Sequence, residues 1–379
     1  MSDHKSKKVL IIIDALGYEL VNKHAFRPEG LSDAVKLETV PGFSQSALTS
    51  IMTGSKPDKH KLWMMYSFSK ESSPFRFIRS VPGMSDMSRL WGRRLLNWKL
   101  KHLDGVSAYY NLYDVPGTVL PYLDLPARKR LFAPGSVRGG KTILDYAFQT
   151  GMNVRVWDYE TPEEKAFEEL SVALKEDRSG FFLLYTAGLD AIMHTTGTGS
   201  TETLEKLGWY RERIERLLSE QQDLILAVMG DHGMCDVTHH IDLLPEIESA
   251  GLRIPDDYIP FFDSTMARFR INDVHAGDKI RAILSRCARG KILKEDELDR
   301  LGISFKDGRF GDIIFQLDAG IIIVPSFMGK TPVAAMHGYH PAEESMFSAL
   351  FTNRDVEFYG SRITDVAPFF KKTFSEQAG

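Results

Sequence analysis

The sequence predicts an α/β fold: a doubly wound, mostly parallel sheet with helices on both faces. Three observations carry this. Short runs recur that are apolar at every position, as strands covered on both faces of a parallel sheet are. Helical patterns alternate with them, and that alternation specifies the architecture. Three of the runs lead into an aspartate, and open α/β sheets bind ligands at the carboxyl ends of their strands.

The first run, VLIII from Val9 to Ile13, leads into Asp14. Residues Gln45 to Thr53 hold neither Pro nor Gly and predict a helix between the Pro41-Gly42 turn and the closing Gly54. Ser44 falls at its N-cap or in its first turn, and capping alone is the plain alternative role for a serine there. Further strands are expected at Val154 to Trp157, at Phe181 to Thr186 with Asp190 beyond it, and at Leu224 to Gly230 with Asp231 next. Helices are expected over 161–176, which opens with Thr-Pro and acidic residues, and over 201–220.

Two regions break the rhythm. Residues 62–138 are rich in aromatics, Pro and Arg and read as an insertion, a lid or cap. Residues 254–316 contain STMARFRI and GDIIFQL and read as a small α+β insertion. The core is then 1–61, 139–253 and 317–379, with the insertions roofing the C-terminal strand ends. No repeat and no low-complexity tract is seen.

Composition narrows the class. A chain of 379 residues with 43% hydrophobic and 26% charged residues suits a large globular enzyme. The net charge of −4 gives no argument for nucleic acid. Two cysteines, Cys235 and Cys287, exclude a disulfide framework and point to a reducing compartment. The N-terminal MSDHKSKKVLIII does not read as a signal peptide, and no window reaches the roughly 18 apolar residues of a membrane span. A cytoplasmic protein is expected, with peripheral membrane contact left open.

Three carboxylates at neighbouring strand ends would repel one another unless a cation lay between them. His194 follows Asp190, His232 follows Asp231, and His337 stands in MHGYHP. Carboxylates with neutral imidazoles suit zinc, or manganese, better than calcium. Taken singly, each Asp is a turn residue and each His a satisfied core or surface residue. The conjunction outweighs that. His239 and His240 are either partners that orient a ligand or a loop pair near the site mouth. Met193, Met234 and Met336 read as wall packing. Neither the G-x-S-x-G elbow, the P-loop nor the dinucleotide fingerprint occurs.

Five segments, IIIDALG, GFSQSALTSIMTG, GLDAIMH, GDHGM and MHGYHP, occur in an order that resembles the alkaline phosphatase superfamily, and within it the type I phosphodiesterase and nucleotide pyrophosphatase branch. The resemblance implies a metal-dependent phosphodiesterase or pyrophosphatase with two divalent metals. Asp14, Ser44, Asp231 and His232 would hold one, and Asp190, His194 and His337 the other. Ser44, ten residues before Gly54, takes the nucleophile's place, where the branch more often has Thr. It would pass through a phosphoseryl intermediate, on a small phosphorylated substrate such as a nucleotide, sugar or lipid headgroup. The branch usually carries an Asn three residues after the nucleophile. Ala47 stands there, and Gln45, Ser46 or an Arg of the insertion are the replacements. Alternatives are a phosphomonoesterase, a phosphonate hydrolase, a phospho-headgroup transferase, or a catalytically silent metal-binding module. A sulfatase is disfavoured, because SQSAL lacks the C/S-x-P-x-R context.

The run MSRLWGRRLLNWKLKH, Met87 to His102, holds five Arg or Lys and no acid. It reads as a lid gripping an anionic substrate, as an interfacial helix on anionic lipid, or as a helix packed on the core with solvated cations. Tyr109, Tyr110, Tyr113 and Tyr122 are candidates for stacking or for core.

Overall fold

A computed structural model describes residues 7–69, 73–80, 90–221 and 223–375. Part of the N-terminal reading (Met1–Ser6) and the start of the basic run (Met87–Arg89) lie outside the described residues. The chain forms two compact units, one within Met1–Lys56, Phe132–Asp236 and Ala334–Gly379, the other within Pro57–Leu131 and Val237–Val333.

The first unit is built on a six-stranded sheet. Its strands run in the order Val35–Leu37, Ser348–Thr352, Leu224–Met229, Lys7–Ile13, Gly180–Thr186, Val154–Trp157. Strand Lys7–Ile13 lies parallel to both neighbours, pairing Ile13 with Thr186 on one side and Ile12 with Met229 on the other. Ser348–Thr352 runs antiparallel, so the sheet is mostly parallel. The apolar runs form these strands because both faces are covered. Ile11, Ile13, Phe182, Leu184 and Val228 are wholly buried in one cluster with Leu170, Ile214 and Leu217 of the helices. Each such side chain contributes about 1.5–3 kcal/mol of burial. Ser200 Oγ caps helix Thr201–Glu220 by accepting from Thr203 N at 3.1 Å.

Strand order positions the site. The three strands that lead towards Asp231, Asp14 and Asp190 are neighbours at the middle of the sheet, and they run in one direction. Asp190 itself is not at a strand end. Its strand stops at Thr186, and Asp190 sits in the first turn of helix Gly188–Thr196. His194 follows one helical turn later, so both project from one face.

The second unit contains an antiparallel sheet ordered Tyr258–Phe262, Met266–Ile271, Ile313–Leu317, Gly290–Ile292. This unit takes in all of 254–316 and 62–131 of the 62–138 segment, together with 57–61, 237–253 and 317–333, which the sequence reading assigns to the core. One buried residue ties them together. Arg268 Nε bonds Asp263 Oδ2 at 2.7 Å, and its Nη1 donates to the Tyr66 carbonyl at 3.1 Å. Burial raises the Asp263 carboxyl's pKa, and Arg268 opposes that rise. A shared core of Tyr66, Leu96, Leu100, Leu120, Phe261 and Phe315 completes the union. Helix Leu90–His102 turns Arg93, Leu96 and Leu100 inward and leaves Leu95 and Trp98 exposed. Among the described residues, no helix is long and apolar enough to cross a membrane.

Candidate active site

The site grows from local backbone geometry. Strand Lys7–Ile13 leads into Asp14, and the next residue, Ala15, has φ +63°, a left-handed conformation unusual for a side chain with a Cβ. That turn aims Ala15 N at Asp231 Oδ1, 3.1 Å away. Such strain costs on the order of 1–3 kcal/mol and persists where the surroundings fix it. Across the strand pair, Gly233 allows the Asp231-His232 loop to pass close to another segment, since a Cβ there would fall 2.0 Å from the Ser345 carbonyl oxygen.

Ser44 is the first residue of helix Ser44–Thr53, and Phe43 is its N-cap. The hydroxyl therefore makes no capping bond, and it lies 3.0 Å from His232 Nε2. The same Nε2 lies 3.3 Å from Asp14 Oδ1 and 3.3 Å from Asp231 Oδ2. Alongside, Asp190 Oδ1 is 3.3 Å from His194 Nε2 and 3.5 Å from His337 Nε2. The His232 and His337 rings stack at 3.9 Å, bringing the two clusters side by side.

The clusters fit metal ions on a specific pattern. Each carboxylate of the Asp14/Asp231 pair uses one oxygen within the protein and leaves the other without a hydrogen bond. Asp14 Oδ2 accepts from the Tyr185 hydroxyl, and Oδ1 has no partner. Asp231 Oδ1 accepts from Ala15 N and His232 N, and Oδ2 has no partner. Asp190 Oδ1 is likewise buried without one. Two of the three imidazoles repeat the pattern, while His337 Nδ1 is buried without a hydrogen-bond partner. His232 Nδ1 faces the Gly233 carbonyl at 3.0 Å and His194 Nδ1 the Ala335 carbonyl at 2.8 Å. A carbonyl only accepts, so Nδ1 carries the proton and Nε2 presents its lone pair to the cluster. Donor separations near 3.3 Å are the edges of a tetrahedron with arms of about 2.0 Å, the zinc–nitrogen and zinc–oxygen length.

Electrostatics point the same way. Burial, then the charge of Asp190, pushes the Asp14 carboxyl up to about 6. Burial and then Asp14 raise Asp231 well above the carboxylate range. Burial lowers His337, with His232 and His194 adding to it. For His194 burial opposes charge, and the adjacent Asp190 more than offsets it, so its pKa rises. Packed acids of this kind call for a cation. Asp14, Asp231, His232 and His337 are almost wholly buried, whereas Asp190 and His194 keep some exposure.

All seven residues of the two expected ligand sets lie in this unit, but the grouping differs: Asp14, Asp231 and His232 could hold one ion and Asp190, His232 and His337 another, while Ser44 lies against His232 and His194 against Asp190. Gln45 and Ser46 stand beside Ser44 on the helix, and Gln45 Nε2 and Ser46 Oγ are buried without a partner. His239 and His240 lie on strand His239–Ile241 of the second unit, exposed, and belong to neither candidate metal group among the described residues. Met193 packs in the core of the first unit.

Sequence reasoning missed Tyr185 and Glu163. Tyr185 stands one residue before the end of its strand, beside Asp14, and its buried hydroxyl had to find a partner. Tyr185→Phe is expected to weaken metal binding about 10–100-fold while leaving the fold intact. Metal titration into the stripped protein, with circular dichroism as control, measures it, and unchanged affinity would remove Tyr185 from the site. Glu163 Oε1 accepts from Gly188 N at 3.0 Å and from the Tyr210 hydroxyl at 2.6 Å. It anchors the first turn of the helix that carries Asp190 and His194. No sequence pattern marks it beyond being an acid at a helix start.

A family model described as Type I phosphodiesterase / nucleotide pyrophosphatase matches residues 8–340. No curated protein sequence matches the chain. Among solved structures, human ectonucleotide pyrophosphatase/phosphodiesterase 5 is similar with a TM-score of 0.67 at 12% identity, over 97% of this chain and 95% of that one. The murine protein, as an inactive variant in complex with AMP, is similar with a TM-score of 0.66 at 13% identity, over 98% and 95%. These two are likenesses of fold.

Proposed function

The chain belongs to the type I phosphodiesterase/nucleotide pyrophosphatase family, and from that premise we propose a metal-dependent phosphodiesterase that works through a phosphoseryl intermediate on Ser44. The observation that carries this reading is the Ser44 hydroxyl at a helix start, 3.0 Å from His232 Nε2, the nitrogen that also lies 3.3 Å from carboxylate oxygens of Asp14 and Asp231 with no hydrogen-bond partner. Asp14, Ser44, Asp231 and His232 would hold one divalent cation, and Asp190, His194 and His337 a second; zinc suits both sets best. Such cations would lower the pKa of the serine hydroxyl and offset charge on the phosphoryl oxygens.

The chain's own residues do the rest. The Ser44 proton leaves to solvent. The Oγ–P bond forms as the bond from phosphorus to the leaving oxygen breaks. Water then cleaves Oγ–P, releasing the phosphomonoester and restoring the hydroxyl. Two inversions give net retention at phosphorus. The start of helix Ser44–Thr53 favours an anion. Ala47, one helical turn on from Ser44, supplies no polar group, and Gln45 Nε2 and Ser46 Oγ in the same turn are buried without a hydrogen-bond partner.

A small phosphorylated substrate, a nucleotide first, fits this family. Purified protein is to be given bis-p-nitrophenyl phosphate and p-nitrophenyl phosphate with zinc. Faster turnover of the diester supports the reading. Faster turnover of the monoester overturns it in favour of a phosphomonoesterase.

A further inference from the structure

The helix Leu90–His102 has a face that the described residues of its unit leave exposed. Arg93, Leu96 and Leu100 turn inward, whereas Leu95 is 62% exposed and Trp98 51%. Beyond the helix end, Leu103 is 67% exposed, and Tyr109 and Tyr113 are 66% and 47% exposed. Contacts draw these groups together. Asn97 Nδ2 donates to the Tyr113 hydroxyl at 3.2 Å, and the His102 ring lies against Trp98 with centroids 5.5 Å apart.

The stretch that carries this face has an excess of basic residues, although Arg93 is turned inward. Residues 90–130 contain seven Arg or Lys against three Asp, in a chain whose net charge is −4. Two of those acids are paired within the stretch, Asp104 with Lys99 and Asp124 with Arg128. Lys101, His102 and Lys129 are exposed. Isolated apolar residues on a surface are ordinary. A cluster of Leu, Trp and Tyr interleaved with cations is not, because each apolar group there stays in water.

We propose that this face docks on an anionic lipid bilayer. A basic amphipathic helix lies in the interface plane, with its apolar side chains at the boundary between headgroups and acyl chains. Trp98, Tyr109 and Tyr113 combine an apolar ring with a polar edge and suit the headgroup level. Lys101 and Lys129 have stems long enough to meet lipid phosphates while their carbon chains cover apolar surface. The inference is independent of the chemistry assigned to Ser44.

The full-length protein is to be sedimented with vesicles of phosphatidylcholine alone, or with about 30% phosphatidylglycerol, an anionic surface. It is expected to pellet with the anionic vesicles, and to be released at about 0.5 M salt, where charges are screened. Leu95→Asp combined with Trp98→Asp should lower the partition coefficient about tenfold or more. Lys101→Glu combined with Lys129→Glu should lower it about fivefold for each cation lost. Both variants should keep the parent's thermal midpoint and its rate on a soluble chromogenic diester. Failure to pellet with anionic vesicles, or pelleting that both variants leave unchanged, overturns the proposal. So does a concentration-dependent dimer that the same substitutions abolish, since the face would then belong to a second copy of the chain.

Discussion

Ser44→Ala is expected to cut turnover of a chromogenic phosphodiester by about 10⁴-fold or more, the scale on which loss of a nucleophile acts. The expectation follows from position. Ser44 is not the cap of its helix, so its hydroxyl contributes nothing to helix ending. Removing it leaves Phe43 as the cap and the bonds from Ser46 N and Ala47 N to the Phe43 carbonyl in place. Loss of the Ser44–His232 contact should cost about 0.5–1.5 kcal/mol in the metal-free protein, so rates are to be compared at saturating zinc, where a loss of rate reads as chemistry. Ser44→Thr keeps a hydroxyl on the same carbon and should retain measurable turnover. Rapid acid quench with a labelled diester should trap the phosphoryl group, still carrying its remaining ester substituent, on Ser44 of the parent protein and none on Ser44→Ala. Comparable rates in parent and Ser44→Ala would remove Ser44 from the mechanism, whatever the fate of the metals.

Metal removal is expected to have the second largest effect. Without cations, Asp14, Asp190 and Asp231 face one another with oxygens that have no other partner. Binding to the folded state alone stabilises by about 4 kcal/mol when metal is at a thousand times its Kd. For a unit of this size each kcal/mol is worth about 2–4 °C. Chelation should therefore lower the thermal midpoint by about 10 °C or more for two sites, and abolish activity. Zinc should restore both. Elemental analysis should give about two equivalents per chain, and Asp190→Ala should lower that value while the buried Asp14/Asp231/His232 group keeps its ion. A chelated, metal-free protein with unchanged midpoint and unchanged rate would contradict the reading. A large midpoint shift with no turnover at any metal loading would instead assign the clusters a structural role.

These expectations trace to two different sources. The sequence by itself determined the parallel sheet, because an all-apolar run such as VLIII can only be satisfied with both faces covered. It marked Asp14, Asp231 and His232, which follow their strands within a few residues, so chain continuity alone carries them to the sheet's edge. It also marked the spacing of Asp190 and His194, because one helical turn fixes their common face. Tertiary structure decided the rest. Strand order, not sequence distance, set Asp231, Asp14 and Asp190 side by side, across gaps that no periodicity spans. It placed Asp190 on a helix where the apolar run suggested a strand end, because Gly188 N takes the Glu163 carboxylate and the chain turns there. It brought Tyr185 to Asp14 through the Ile12–Tyr185 register. It bound segments 57–131 and 237–333 into one unit through Arg268, and it chose which side of the basic helix stays in water. Local propensity and spacing act over a few residues. Which distant groups meet depends on the topology that buries the whole apolar surface, and that is settled only when the chain has folded.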